Sequence, residues 1–210
     1  GGLGDLEPGQ IRQQLPALPG RPAGDTLCEK VTATQDAAGT GYWVLFHQFG
    51  TNAFYAYHLT AAGIIGGVVS NVGTPIRQSG NYNLDKFDTR GEMKFSPDGQ
   101  WIATANEDFV AELFRFNKTT GAVTFAARLD SNQQHYGLSF SPNSRRLYIN
   151  TGWTSGGVNI FQYNLDDPAP AAILASRTLV GTSANSLGAM QIGPDGRIYV
   201  VRVSQQRLGV

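Results

Sequence analysis

Chemistry of the usual kinds has few residues to draw on here: three histidines (His47, His58, His135), one cysteine (Cys28) and 16 acidic side chains in 210 residues. None of the histidines stands in a His-x-x-x-His pair and no second cysteine supplements them, so zinc has no ligand set in the sequence. His58 closes an aromatic strand and reads as a solvated strand-end residue, whereas His47 and His135 read as loop residues. Asn106-Glu107-Asp108 offers hard oxygens but lacks the alternating spacing of a calcium loop, and reads as a solvated loop. Glu92 and Glu107 are the carboxylates nearest to an acid–base role. There is no Gly-x-Ser-x-Gly elbow, and Gly39-Thr40-Gly41 is too short for a phosphate loop. Asp98 and Asp195 recur in one local phrase where Asn143 replaces them once. A turn requirement repeats in this way, and an active site usually does not. The sequence therefore names no catalytic residue, no metal and no cofactor.

The phrase that carries those residues occurs three times, as Phe95-Ser-Pro-Asp-Gly99, Phe140-Ser-Pro-Asn-Ser144 and Ile192-Gly-Pro-Asp-Gly196. Its prolines, Pro97, Pro142 and Pro194, lie 45 and then 52 residues apart. Pro at the second position and Gly at the fourth predict a type I turn. Strand formers follow each turn: Trp101–Thr104, Leu147–Ile149 and Ile198–Val201. A third strand carries aromatics two apart, Tyr55/Tyr57, Phe114/Phe116 and Phe161/Tyr163, which lie on one face and can fill the layer between sheets. A fourth strand is expected over Ile64–Val69, Ala122–Ala127 and Ile173–Leu179. Units of 40–50 residues built this way predict an all-β fold, a β-propeller arc of four-stranded antiparallel blades within a larger ring. Blades are expected at 31–78, 91–131 and 136–182, with the first two strands of another at 187–210 and the end of a preceding blade at 1–30. Ile11–Leu15 is a candidate strand there, and no segment shows a helical period.

Composition supports the same class. Gly plus Pro make 36 residues, charged residues only 15%, and aromatics number 22. Acidic and basic residues balance at 16 each, which leaves no global field for nucleic acid. No apolar run reaches the ~20 residues of a membrane-spanning helix. The chain lacks an initiating Met and a signal-peptide pattern, so it reads as a piece of a longer protein.

Several segments together resemble one family: Gly1–Asp5, Glu29–Ala33, Tyr42–Leu45, Asn52–Tyr57, Met93–Gly99, Val110–Phe116, Tyr136–Pro142 and Ile192–Val200. They are similar to the N-terminal propeller of large Bacteroidetes surface proteins that also carry PKD-type modules and a gliding-motility-type C-terminal sorting domain. The resemblance implies a ring of about seven blades, type IX secretion and an extracellular or cell-surface location. More distantly, Tyr148-Ile-Asn150 and Tyr199-Val200 resemble YVTN and lactonase-like propellers. The Trp-Asp dipeptide of WD40 repeats is absent, so that class is a poorer match. Asp25-Thr26-Leu27 resembles the O-glycan acceptor sites of the same bacteria, which makes Thr26 a candidate modification site.

Propeller ligands often bind where loops converge on one face of rigid sheets. The loops joining second to third strands and those joining units carry His47, Asn52, Tyr82, Asn106, Asn132, Tyr136, Trp153 and Asn185, and this face is the expected binding surface. Aromatics with amides suit a glycan or peptide. The expected function is a non-catalytic binding or spacer module contacting glycan, peptide or protein. A lactonase- or lyase-like enzyme with its site on the axis, and a self-associating structural subunit, are the alternatives.

Overall fold

The computed structural model describes residues 15–17, 26–76, 89–107, 110–151, 157–203 and 209. Its strands form three four-stranded antiparallel sheets and one two-stranded sheet, each built from strands consecutive in the chain. The first sheet holds β1 (Leu27–Gln35), β2 (Tyr42–Gln48), β3 (Ala53–Thr60) and β4 (Gly63–Asn71). The second holds β5 (Met93–Phe95), β6 (Trp101–Asn106), β7 (Val110–Phe116) and β8 (Val123–Asp130). The third holds β9 (His135–Phe140), β10 (Arg146–Thr151), β11 (Val158–Asn164) and β12 (Thr178–Ser183). The last pairs β13 (Leu187–Ile192) with β14 (Ile198–Arg202).

The first strand of each sheet packs beside the first strand of the next, β1 on β5, β5 on β9 and β9 on β13. Four inner strands therefore stand around a common axis, and the later strands of each sheet run outward. Aromatic pairs two apart do fill the gaps. Phe114 and Phe116 of β7 pack on Trp43, Leu45 and Phe54 of the first sheet, with Phe54 and Phe114 edge-on at 4.8 Å. Phe161 and Tyr163 of β11 pack on the second sheet around Leu113 and Leu129. Tyr55 and Tyr57 of β3 face the other way, against Leu15 and Leu27.

The repeated proline phrases form the hairpins between first and second strands. Each closes with an N–H donated three residues back: Gly99 to Ser96 O (2.8 Å), Ser144 to Ser141 O (2.9 Å) and Gly196 to Gly193 O (3.0 Å). The fourth residue is left-handed in all three, with φ of 72°, 61° and 77° at Gly99, Ser144 and Gly196. Glycine suits that position and Ser144 is the exception. The Oδ1 atoms of Asp98, Asn143 and Asp195 each accept the N–H two residues on. That duty needs an oxygen and no charge, which is why asparagine serves.

Three expectations need correction. Residues 170–175 form a short helix, α1 (Pro170–Ala175), and the fourth strand of the third sheet starts only at Thr178. Proline at the first turn favours a helix start and the two alanines that follow are strong helix formers, so Ile173 reaches the core from a helix. His58 is not a free strand-end residue: its Nε2 lies 3.0 Å from Asp36 Oδ2 and its ring stacks on Trp43 at 4.4 Å. His47 and His135 lie inside β2 and β9 rather than in loops, and both are buried. Ile11–Gln14 of the candidate N-terminal strand lie outside the described residues.

Candidate functional site

The inner strands have two ends, and their polar residues behave differently at each. At the end where the strands begin, charges are buried and engaged. Lys30 is only 3% exposed, and its Nζ donates to the backbone oxygens of Arg90, Gly91 and Ala105 at 2.8–3.0 Å. Glu92 Oε2 accepts N–H groups from Leu138 (2.9 Å) and Met190 (3.1 Å), while Oε1 pairs with Lys94 Nζ at 2.9 Å. Lys94 Nζ also donates to Met190 O. One carboxylate thus ties three inner strands together. Glu107 pairs with Arg90 at 3.3 Å, and Glu112 receives the Thr74 hydroxyl and N–H together with Arg128 Nε.

The expected binding residues map as follows. His47 has a ring edge-on to Phe54 and its Nδ1 2.9 Å from Gln48 O. Burial, reinforced by the Lys30 charge, pushes its pKa down to about 4, so it is neutral. Tyr136 is partly buried, and burial with the nearby Glu29, Glu107 and Glu92 charges raises its phenol above the ordinary value. Asn106 is half-buried at the end of β6, and its buried Oδ1 has no hydrogen bond among the described residues. Asn52 braces a loop through Gly73 O at 3.3 Å. Asn132 and Asn185 are exposed and sit on separate loops, each held in a local turn by Asp130 and Ser183 respectively. Tyr82 and Trp153 lie outside the described residues. Thr26 is exposed. The structure brings Tyr136, Glu92, Glu107 and Arg90 together and leaves the asparagines apart.

His135, 2% exposed, has Nδ1 3.3 Å from Asn150 O and Nε2 3.7 Å from Asp130 Oδ2. Burial lowers its pKa and the Asp130 charge opposes the shift. Among the described residues no three His, Cys, Asp or Glu side chains gather where a metal ion could sit. No helix among them is long and apolar enough to cross a membrane.

At the other end of the inner strands, beside the hairpin turns, lies an open groove of about 580 Å³ along the axis. All four sheets contribute to it. Counting back two residues from the first residue of each turn gives Thr34, Lys94, Ser139 and Gln191, and every one of them lines the groove. Thr32 and Gln35 add further polar groups, and Tyr42, 52% exposed, lines the same space from the start of β2. Lys94 is already paired with Glu92, Ser139 is buried at 2% exposure, and Thr32 Oγ1 accepts the Phe95 N–H at 3.3 Å, so the groove presents mainly Thr34, the amides of Gln35 and Gln191 and one neutralised cation. Such a lining suits an uncharged ligand rich in hydroxyl groups, with Tyr42 offering a face for stacking.

None of the described residues expected to bind lines this groove. A signal for it does exist in the sequence. Met93-Lys-Phe95, Leu138-Ser-Phe140 and Met190-Gln-Ile192 each place one polar residue between two apolar ones just before the turn. The first sheet hides the pattern because its turn, Asp36-Ala-Ala-Gly39, has no proline, although Gly39 N–H still reaches Asp36 O and Gly39 still has φ 74°.

No family model and no curated protein matches the chain. Solved structures do. A putative 6-phosphogluconolactonase from Bacteroides fragilis superposes with a TM-score of 0.54 at 16% identity, over 88% of this chain and 49% of its own. The beta-propeller domain of Myceliophteria thermophila Cps50 (Swd1) superposes with a TM-score of 0.57 at 11% identity, over 96% of this chain and 60% of its own. The chain forms an arc of a β-propeller. It spans about half to three fifths of the length of these propellers, and identities this low speak to fold alone.

Proposed function

We propose that this arc belongs to a non-catalytic binding propeller of an exported cell-surface protein and that the axial groove takes an uncharged glycan. The observation that carries this reading is the file of Thr34, Lys94, Ser139 and Gln191 at one register position, with Tyr42 beside it. The carboxylates on the other end are held by backbone N–H groups or cations, so they are poorly placed to act as general bases. Export by type IX secretion, a ring of about seven blades and a glycan on Thr26 follow from the family resemblance and are part of the same proposal. Glycan-array screening of the chain, followed by titration of a hit, tests the binding. Tyr42→Ala or Gln191→Ala is expected to weaken it at least about tenfold, the loss of about 1.4 kcal/mol of contact. A mass increment on the peptide containing Thr26 tests the modification.

The fold likeness to a putative 6-phosphogluconolactonase makes a lactonase the competing reading, with Glu92 and Lys94 as the charged pair facing the axis. Lactone hydrolysis that disappears in Glu92→Gln would replace the binding reading with that one.

A further inference from the structure

The second sheet, flanked by a sheet on each side, carries a cleft of about 550 Å³ lined by Gln100, Arg115, Asn117, Lys118 and Thr124 among others. Gln100 leads into β6, Asn117 and Lys118 follow β7, and Thr124 belongs to β8. The cleft therefore faces the same turn-bearing end of the arc as the axial groove, further out along the sheet. Two cations and no carboxylate line it. The Asp98 charge reaches Arg115 from the neighbouring turn, but Asp98 Oδ1 already accepts the Ser96 hydroxyl and the Gln100 N–H.

Arg115 sets this cleft apart. Its guanidinium lies over the Trp101 ring, 3.3 Å from the centroid, and Trp101 is itself buried in the core between the second and third sheets. Stacking uses the flat face of a guanidinium and leaves the N–H groups at its edge. Among the described residues those groups donate no hydrogen bond and meet no carboxylate. Arg90, Arg128, Arg145, Arg146, Arg177 and Arg197, by contrast, each pair with an acid. Burial lowers the Arg115 pKa from its ordinary value, against the pull of Asp98, so the cation is partly dehydrated without a partner. Its neighbours are equally unengaged among the described residues. Lys118 Nζ meets only the backbone oxygen of Asp98, at 3.3 Å. Asn117 Oδ1 accepts the Thr119 and Thr120 N–H groups, which leaves its Nδ2 without an acceptor, and the side chains of Gln100 and Thr124 make no hydrogen bond.

We infer that this cleft binds a tetrahedral oxyanion, the sulfate or phosphate group of a ligand, through the edge of Arg115 and the ammonium of Lys118. Donors come from β7, from β8, from the turn between them and from the residue leading into β6. That spread suits an anion with oxygens on several sides better than the two oxygens of a carboxylate. The guanidinium fork can give two parallel charge-assisted bonds. Its Trp101 platform holds it in place before the ligand arrives, so little side-chain freedom is lost on binding. The site stands apart from the axial groove and does not depend on what occupies that groove.

The test titrates the isotope-labelled chain with inorganic sulfate, inorganic phosphate, a hexose monosulfate and acetate at constant ionic strength, read by NMR shifts. Saturable one-to-one shifts around Gln100, Asn117 and Lys118 are expected for sulfate and phosphate. Arg115→Gln should weaken binding at least about tenfold and Lys118→Gln about threefold. Arg115→Lys, which keeps the charge and loses the fork, should fall between the parent and Arg115→Gln. Arg197→Gln removes the same charge from another turn and should change the affinity less than about twofold. Unchanged circular dichroism and thermal midpoint confirm the folding of each variant, and Arg115→Lys with Lys118→Gln carry the test if Arg115→Gln does not fold. Tighter binding of the hexose monosulfate than of sulfate supports the site and assigns it to a sugar-borne group, whereas equal binding supports it with the free ion as ligand. Shifts that do not saturate, acetate bound as tightly as sulfate, or a loss in Arg197→Gln equal to that in Arg115→Gln would overturn the proposal.

Discussion

Where the inner strands begin, Lys30, Glu92 and Glu107 spend their charges on carbonyls, N–H groups and cations of neighbouring strands. Where the same strands end, Thr34, Gln191 and Tyr42 line an open groove. Both ends are polar, so polarity alone does not distinguish a binding surface from a structural joint. The difference lies in partners. A buried charge must be paired and hydrogen-bonded or it costs more than folding can absorb. Groups at the open end hold only long contacts, such as Gln191 with Lys94 at 3.4 Å and with Ile192 O at 3.5 Å, and these can be exchanged for a ligand. Substitutions at the first end should therefore cost stability, and those at the second should cost binding.

The largest expected effect is at Glu92. Glu92→Ala leaves two backbone N–H groups without their acceptor and Lys94 without its carboxylate, at a cost of about 3 kcal/mol. The urea midpoint should fall accordingly, and a change below about 1 kcal/mol would remove Glu92 from the role of axial tie.

Close behind comes the pH dependence set by His47. Its folded pKa of about 4 lies below the ordinary 6.5, so between those values the unfolded chain takes up a proton that the native state refuses. Stability thus falls as pH drops from about 6.5 towards 4, by about 3 kcal/mol in all. His47→Gln should flatten this part of the curve in urea titrations at stepped pH. A second decline belongs to Asp36, whose carboxyl is held low by its bond to His58. Its stabilisation is complete above the ordinary carboxylate range and is lost as pH falls through the lowered folded value, so Asp36→Asn should remove that acid limb alone.

Much of the fold was legible because each prolyl turn fixes a hairpin locally, and the aromatics two apart mark the third strand without reference to distant residues. Less legible was α1, since Pro170-Ala-Ala-Ile173 also satisfies an apolar strand at that length. The first hairpin carries no proline signature, since its turn is Asp36-Ala-Ala-Gly39. The buried roles of Lys30 and Asn150 could not be read, because their partners are remote: Asn150 bridges Gly137 N–H and Gly188 O, 13 and 38 residues away. The groove was hidden for the same reason. It exists only once four strands, separated by hairpins and outer strands, are drawn side by side.

Smaller effects sharpen the contrast at the turn end. Ser144 holds a left-handed φ of 61°, yet its Oγ accepts the Asp98 N–H at 3.0 Å. Ser144→Ala keeps the strain and loses the bond, costing about 1 kcal/mol. Ser144→Gly relieves about 1 kcal/mol of strain while losing the same bond, so thermal melts should find it within about 0.5 kcal/mol of the parent. Tyr42→Ala, on a half-exposed side chain, should change stability by less than about 0.5 kcal/mol.

One titration separates the two ends directly: a glycan that binds the parent chain, measured by calorimetry against Tyr42→Ala and Tyr136→Ala. Binding lost with Tyr42→Ala and kept with Tyr136→Ala is the result that places the ligand in the axial groove. Binding kept with Tyr42→Ala and lost with Tyr136→Ala would put it on the loop-bearing end and contradict the account.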